Sequence, residues 1–181
     1  MESLGPMVGF FSLKVKEKVV LIRELWLPQE AHGRLGLRTP ARFGLKAMVE
    51  AELKAGVVNF SWRSASGCRT LLRLHRSLLW LQLLLEGLAG GPDAQGQYRT
   101  PGELGRAAYM VALAPHHPWV LRQAAEFVFL ALPDRRHFLE LVCVRSQREA
   151  TPILRSIIDA LALVHAQTQQ ILAEHDMLEL P

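Results

Sequence analysis

Apolar residues recur every three to four positions along most of the chain, and the pattern breaks where proline and glycine fall. This is the period of an amphipathic α-helix, and no segment shows the sustained two-residue alternation of a half-buried strand. We therefore predict an all-α fold of about seven helices in one domain over residues 1–181. The first predicted helix spans Leu13–Leu27 and is ended by Pro28, the second runs from Thr39-Pro40 to about Phe60, and Ser64–Gly67 introduces the third. The next three helices start at Thr100-Pro101, Pro118 and Asp134. The last helix runs from Thr151-Pro152 to about His175.

The third predicted helix combines arginine with an almost continuous apolar surface. In SGCRTLLRLHRSLLWLQLLL (residues 66–85), Arg69, Arg73 and Arg76 fall in one sector of a helical projection that continues through Trp80. The other faces are rich in leucine, which predicts burial on nearly all sides. Arginine opposes the dipole at a helix N-terminus, whereas the free N–H groups there bind anions. Both the arginines and the free N–H groups are explained if an amphiphile lies along this face with its anionic head group at the N-terminal end of the helix.

Two other interpretations of these arginines stay open on pattern alone. The guanidinium groups also suit pairing with protein carboxylates or extension into solvent. A basic amphipathic helix lying on a membrane is the third option, although the leucine-rich remaining faces disfavour a solvent-exposed helix.

Composition excludes several classes of protein. The chain has 181 residues, half of them apolar, and a net charge of +4. No apolar run approaches the roughly 18 residues of a membrane span, and no signal peptide is evident, so we predict a cytoplasmic protein. Cys68 and Cys143 form neither a disulfide framework nor a metal-ligand spacing. No nucleophile–base constellation or metal motif suggests an enzyme, no cofactor is predicted, and basic residues in apolar surroundings disfavour nucleic-acid binding.

Five blocks, in order along the chain, resemble the glycolipid transfer protein superfamily and particularly its ceramide-1-phosphate branch. They are KAMVEAEL (Lys46–Leu53), the GCRT–LRLHR–WLQLLLEGL stretch, AAYMVALAPHHPWVLRQA (Ala107–Ala124), LP-x-R-x-x-FLE (Leu132–Glu140) and AEHDMLELP (Ala173–Pro181). The resemblance implies a two-layer helical sandwich that encloses lipid chains in an apolar pocket. It also implies carriage of sphingolipids between membranes without covalent chemistry. The expected partners are thus a sphingolipid ligand and, transiently, the membrane surface.

The resemblance assigns roles to five residues. Lys18, Arg69 and Arg73 match positions that hold the lipid phosphate. Glycolipid carriers have at the position of Arg73 a tryptophan that stacks on sugar, so arginine here favours phosphate, which a guanidinium binds bidentately. His117 matches a histidine that hydrogen-bonds the ceramide amide, and Trp119 matches a membrane-contacting aromatic residue. On pattern alone, the HHPW sequence also suits a purely structural helix start, and Trp119 a core or rim position.

Two features depart from the family pattern. Lys14 stands where the family has an aspartate that accepts hydrogen bonds from the ceramide amide and hydroxyl, and an ammonium group has no acceptor. Glu17 is nearby but points about 60° away on a helical projection. The N-terminus aligns inside the family domain, so we expect the first family helix to be missing. These departures favour an alternative function, a helical interaction module that kept the fold but lost lipid transfer. No oligomeric state follows from the sequence.

Overall fold

The structure, a computed structural model, describes residues 16–20, 44–141 and 146–181. All regular elements in these ranges are helical, which confirms the predicted all-α class. None of the helices in these ranges combines the length and apolarity that crossing a bilayer requires. Residues 16–20 are helical and are called α1. The other elements are α2 (Leu45–Lys54), α3 (Gly67–Ala89), α4 (Pro101–Ala112), a short 3-10 helix (Ala114–His116), α5 (Trp119–Leu130), α6 (Arg135–Leu141) and α7 (Gln147–Ala173).

Four helix starts lie where the sequence predicts them. α3 begins at Gly67, the last residue of the predicted introduction Ser64–Gly67. Thr100 caps α4 through a capping box, in which its hydroxyl accepts the Glu103 N–H at 3.2 Å and the Glu103 carboxylate accepts the Thr100 N–H at 2.8 Å. Pro118 precedes α5, and the Asp134 carboxylate accepts an N–H from the first turn of α6 at 2.8 Å. Local side-chain caps therefore mark the starts of α4 and α6.

Two predicted boundaries are wrong. α2 ends at Lys54 and not near Phe60, because Gly56 adopts a left-handed conformation (φ 68°) and the backbone turns there. α7 begins at Gln147 and not at Thr151-Pro152, because Ser146 caps the helix earlier and Pro152 lies inside it. The predicted limits Leu13, Leu27 and Pro28, and the start at Thr39-Pro40, lie outside the described residues.

The described residues belong to two compact units. The first contains α1, α2, residues 67–74 of α3, residues 167–173 of α7 and the C-terminal tail. Its core joins α2, α3, the end of α7 and the tail, so the closing motif AEHDMLELP supplies core side chains. Lys46 forms an ion pair with Glu174 at 2.9 Å. The buried core residues are Met48, Val49, Cys68, Leu71, Leu72, Leu172, Met177 and Leu180.

The second unit contains residues 75–141 and 146–166. Its helices pack around two apolar clusters, one centred on Leu84, Leu88 and Leu104 and the other on Tyr109 and Phe129. Gly102 permits close packing of α4 on α5, because a Cβ there would lie 2.6 Å from the carbonyl oxygen of Phe129. Within α3 as a whole, Arg73 and Glu86 are the exposed residues, which confirms the predicted burial of this helix on nearly all sides.

Arg135, the arginine of the LP-x-R-x-x-FLE block, is a structural residue of the second unit. Its guanidinium group lies 4.5 Å from the centre of the Tyr98 ring and donates to Gln147 Oε1 at 3.2 Å. It also donates to three backbone carbonyl oxygens, those of Leu88 (2.5 Å), Gly90 (3.3 Å) and Arg99 (3.2 Å). Arg135 therefore satisfies carbonyl groups at the C-terminal end of α3 and in the following loop.

Replacing Arg135 with lysine should lower the free energy of unfolding by about 1–2 kcal/mol, because an ammonium group cannot satisfy acceptors spread over a planar fork. Urea unfolding measures this change. Arg136→Lys is the matched control, since Arg136 is highly exposed and pairs at the surface with Glu140. Equal midpoints for the two variants would contradict the role given to Arg135.

Two histidines stack inside the second unit. The rings of His75 and His165 are nearly parallel, with centroids 4.1 Å apart. In the part of the chain that the structure describes, Nε2 of His165 is buried without a hydrogen-bond partner. Burial lowers the pKa of His165 below its ordinary value, so the folded protein holds this ring in the neutral form.

This pair should make the protein less stable in weak acid. The unfolded chain takes up a proton at His165 near pH 6.5 and the folded chain resists protonation, so stability is complete above that pH and falls below it. Urea midpoints measured between pH 7.5 and 5.5 should decline, and His165→Asn should flatten the decline. An unchanged pH dependence in His165→Asn would show that other groups cause it. The exposed His137 provides the control substitution.

Candidate functional site

Three arginines meet at one open concavity in the first unit. The concavity has a volume of about 480 Å³ and lies where the α2–α3 loop joins the first turns of α3. Arg69 and Arg73, both predicted to contact phosphate, line it one helical turn apart, and Arg63 joins them from the loop. The other lining residues are Glu52, Val57, Ser64, Ala65, Ser66 and Thr70. The predicted arginine pair is therefore part of a three-guanidinium group.

The backbone at the start of α3 is already satisfied by the protein itself. Glu52 Oε1 accepts the N–H of Gly67 at 2.6 Å, and Glu52 Oε2 accepts the N–H of Cys68 at 2.9 Å. Ser66 accepts the next N–H, that of Arg69, through its hydroxyl at 3.1 Å. The expectation that free N–H groups at this helix end would bind an anion is therefore wrong. An external anion must instead be held by the arginine side chains.

Arg69 is close enough to both other arginines to feel their positive charges. Partial burial, followed by the positive charges of Arg73 and Arg63, lowers the pKa of Arg69, although a guanidinium stays protonated at neutral pH. Among the described residues it has one hydrogen-bond acceptor, the Ser64 carbonyl oxygen at 3.5 Å. Glu52 is the acidic residue in the lining, and its oxygens are occupied by backbone N–H groups. An oxygen-rich anion bound here would relieve the repulsion among the arginines.

The helical stripe of Arg69 and Arg73 does not predict Arg63, because Arg63 lies in the loop that precedes α3. In the described structure it forms no ion pair or hydrogen bond, and it is exposed. Its position in the sequence does indicate a place near the site. Arg63 lies four residues before the start of α3, so the short connection keeps it close to the first turn of that helix. Arg76, on the same stripe as Arg69 and Arg73, is half-buried and does not line the concavity.

The two lysines of the predicted recognition helix have different outcomes. Lys18 lies on α1 and is half-exposed, and it is not among the described residues that line the concavity. Lys14 lies outside the described residues. Contact of either lysine with lipid stays a prediction.

His117 follows the short 3-10 helix in the second unit. Its Nδ1 lies 2.9 Å from the hydroxyl of Tyr109, which is buried against Phe129. Burial raises the pKa of Tyr109, so its hydroxyl keeps the proton at neutral pH. With this hydroxyl as donor, the neutral imidazole carries its proton on Nε2, the form that donates to a carbonyl oxygen. The buried Tyr109 therefore orients the histidine.

Trp119 begins α5 and leaves 70% of its surface exposed. This exposure excludes the core position that the sequence left open for Trp119. Trp80, by contrast, packs against both apolar clusters of the second unit and donates its indole N–H to the Gly105 carbonyl oxygen at 3.0 Å. Of the two tryptophans, only Trp119 is available to an external surface.

The fold and the arginine cluster fit a helical lipid-carrier domain, and sequence comparison assigns the family. The glycolipid transfer protein (GLTP) family model matches residues 1–144, and the chain belongs to this family. Among curated relatives, the ceramide-1-phosphate transfer protein of Homo sapiens is 38% identical over 185 residues, covering 100% of this chain and 80% of the relative. The Xenopus laevis protein of the same name is also 38% identical, with the same coverage.

Comparison of structures agrees with this assignment. The crystal structure of human ceramide-1-phosphate transfer protein in complex with 12:0 ceramide 1-phosphate matches with a TM-score of 0.82 and 37% identity. The match covers 99% of this chain and 82% of that one. The chain therefore has the GLTP fold, as its sequence blocks predict.

Proposed function

We propose that this protein binds a phosphorylated sphingolipid of the ceramide 1-phosphate type and carries it between membranes without vesicles. The observation that carries the proposal is the concavity lined by Arg63, Arg69 and Arg73. Three guanidinium groups, with the lining carboxylate occupied by backbone N–H groups, match an oxygen-rich dianion better than they match a neutral sugar. The relatives named above, which share the whole length of this chain, are ceramide-1-phosphate transfer proteins.

The individual residues have distinct proposed roles. Arg69 and Arg73 hold the phosphate bidentately, and Lys18 adds an ammonium group to the head-group contacts. His117, held by Tyr109, donates from Nε2 to the ceramide amide carbonyl. Trp119 contacts the membrane, because an exposed indole suits the interface between lipid and water. The lipid chains occupy an apolar pocket of the family type.

The proposed cycle contains no covalent step. The protein acts as a carrier in the cytoplasm and meets membrane surfaces transiently, so binding and release of the lipid are its only chemical events. A carrier needs contacts strong enough to extract one lipid and weak enough to release it. Guanidinium–phosphate contacts that form and break at a membrane surface meet both needs.

A vesicle assay tests the function directly. Purified protein is mixed with donor vesicles that contain fluorescent ceramide 1-phosphate and with unlabelled acceptor vesicles, and the loss of donor signal is followed. We expect transfer of ceramide 1-phosphate and little transfer of ceramide or of galactosylceramide. Native mass spectrometry of the purified protein identifies any lipid bound in stoichiometric amount. Folded protein that neither transfers nor retains any sphingolipid would overturn the proposal.

Lys14 favours the alternative of a helical interaction module without lipid transfer, because an ammonium cannot accept the bonds that the family aspartate accepts. The variant Lys14→Asp should therefore increase ceramide 1-phosphate transfer several-fold, since it restores an acceptor for the ceramide amide and hydroxyl. Lys16→Asp, two residues away on the exposed surface of α1, is the control for the change in charge. Absence of transfer in both wild-type protein and Lys14→Asp would favour the interaction module.

A further inference from the structure

The loop between α2 and α3 has a defined conformation. At its base, the Ser64 hydroxyl donates to the Val57 carbonyl oxygen at 3.3 Å. Near its tip, Asn59 Oδ1 accepts the N–H groups of Ser61 at 2.8 Å and of Trp62 at 2.9 Å. An asparagine side chain that bonds to backbone two and three residues ahead stabilises a tight turn. These hydrogen bonds therefore define the backbone path of the loop.

Two aromatic side chains project from this loop. Phe60 is 51% exposed and Trp62 is 67% exposed, although they lie only two residues apart. Single exposed apolar residues are common, whereas neighbouring exposed aromatic residues on one loop are typical of a contact surface. Tryptophan in particular favours the boundary between lipid head groups and acyl chains.

The charge of the loop indicates which surface it contacts. Arg63 follows Trp62 directly and lines the concavity with Arg69 and Arg73. No aspartate or glutamate occurs between Val57 and Arg73 in the sequence. This combination complements an anionic phospholipid surface. The aromatic side chains match the apolar acyl region, and the arginines match the negatively charged phosphates directly above it.

We propose that the Val57–Ser64 loop is a membrane-docking element that inserts Phe60 and Trp62 into the interface of an anionic bilayer. Arg63 then contacts lipid phosphates, and the arginine-lined concavity opens at the head-group layer. This inference rests on the proposed function for the role of the concavity, and it adds a docking element separate from Trp119. It explains why two large aromatic side chains stay in solvent next to the head-group site.

The test compares Trp62→Ala and Phe60→Ala with wild-type protein. Co-sedimentation is measured with phosphatidylcholine vesicles and with vesicles in which phosphatidylserine replaces part of that lipid. We expect Trp62→Ala to weaken partition into the anionic vesicles on the order of tenfold, because burial of one large side chain is lost. Leu163→Ala, on α7, removes an apolar side chain that is 60% exposed and should change partition little. Brominated lipids should quench the tryptophan fluorescence of wild-type protein more than that of Trp62→Phe, because the variant lacks the inserted indole.

Binding of 2:0 ceramide 1-phosphate without vesicles separates docking from head-group recognition. Human ceramide-1-phosphate transfer protein has been crystallised with this short-chain lipid. Trp62→Ala should bind it like wild type, whereas Arg73→Leu should bind it more weakly. If Arg73→Leu binds normally while Trp62→Ala loses partition, the proposed function fails and the docking element stands.

Three results would overturn the docking proposal. The first is unchanged partition of both aromatic variants, together with equal quenching of wild type and Trp62→Phe. The second is an equal loss of short-chain lipid binding and vesicle partition in Trp62→Ala, which would place Trp62 in the head-group site. The third is loss of a protein partner by Trp62→Ala with vesicle partition unchanged, which would make the loop a protein interface.

Discussion

Replacing Arg73 with leucine is expected to reduce ceramide 1-phosphate transfer about ten- to a hundredfold. A hydrogen-bonded contact between charged groups contributes about 1.5–3 kcal/mol, and every 1.4 kcal/mol corresponds to about a factor of ten in affinity. Leucine is close to the length of the arginine stem and keeps α3 helical, so the change removes the charge and leaves the fold. Arg69→Leu should have a similar effect, and the double variant should lose transfer altogether.

Vesicle transfer and direct lipid binding should fall together in Arg73→Leu, because the lost contact is with the lipid itself. Arg155→Leu is the matched control, since Arg155 is exposed on α7 and far along the chain from the concavity. Its transfer rate should equal that of wild type. A normal rate in Arg73→Leu, or an equal loss in Arg155→Leu, would show that the arginine-lined concavity does not hold the head group.

Replacing Glu52 with alanine should destabilise the protein by about 2–3 kcal/mol. The change leaves the Gly67 and Cys68 N–H groups without their acceptor at a half-buried helix end, and it removes a negative charge from the positive end of the α3 dipole. It also leaves the guanidinium groups of the concavity without a lining carboxylate. Urea unfolding should show a lower midpoint with an unchanged slope.

Glu50→Ala provides the matched control for Glu52. Glu50 lies on the same helix and is exposed, so its loss should change the unfolding midpoint little. Glu52→Gln should fall between the two, because its amide retains one acceptor oxygen for the two N–H groups. A midpoint for Glu52→Ala equal to that of Glu50→Ala would contradict the capping role.

The elements of this fold that the sequence predicted are those with a local cause. The starts of α4 and α6 are examples, because their caps involve only neighbouring residues. Thr100 pairs with Glu103 at the start of α4, and Asp134 caps the first turn of α6. The wrong limits have local causes as well, namely Gly56 and Ser146, but competing signals obscured them. The apolar residues after Gly56 continued the helical pattern, and Pro152 resembled a helix start although the helix begins five residues earlier.

The sequence predicted only the part of the candidate site that lies on one helix. Arg69 and Arg73 belong to a single helical stripe, so their spacing alone places them together. Arg63 reaches the same concavity through the path of a loop, and Glu52 reaches the start of α3 from another helix. Tyr109 orients His117 across a turn. Contacts between residues of different elements depend on the path of the chain in three dimensions. The spacing of apolar and charged residues along the sequence does not contain that information.

The carboxylate of Glu52 also determines what kind of selectivity the concavity has. A nest of backbone N–H groups is rigid and accepts one shape of anion, whereas arginine side chains are long and adjust their rotamers. Because Glu52 occupies the N–H groups of Gly67 and Cys68, only the flexible arginine side chains are available to contact an anion in the concavity. The concavity should therefore discriminate strongly by charge and weakly by the size of the group that bears it. Dianionic head groups of different bulk would compete for the same three arginines, and neutral ones would not.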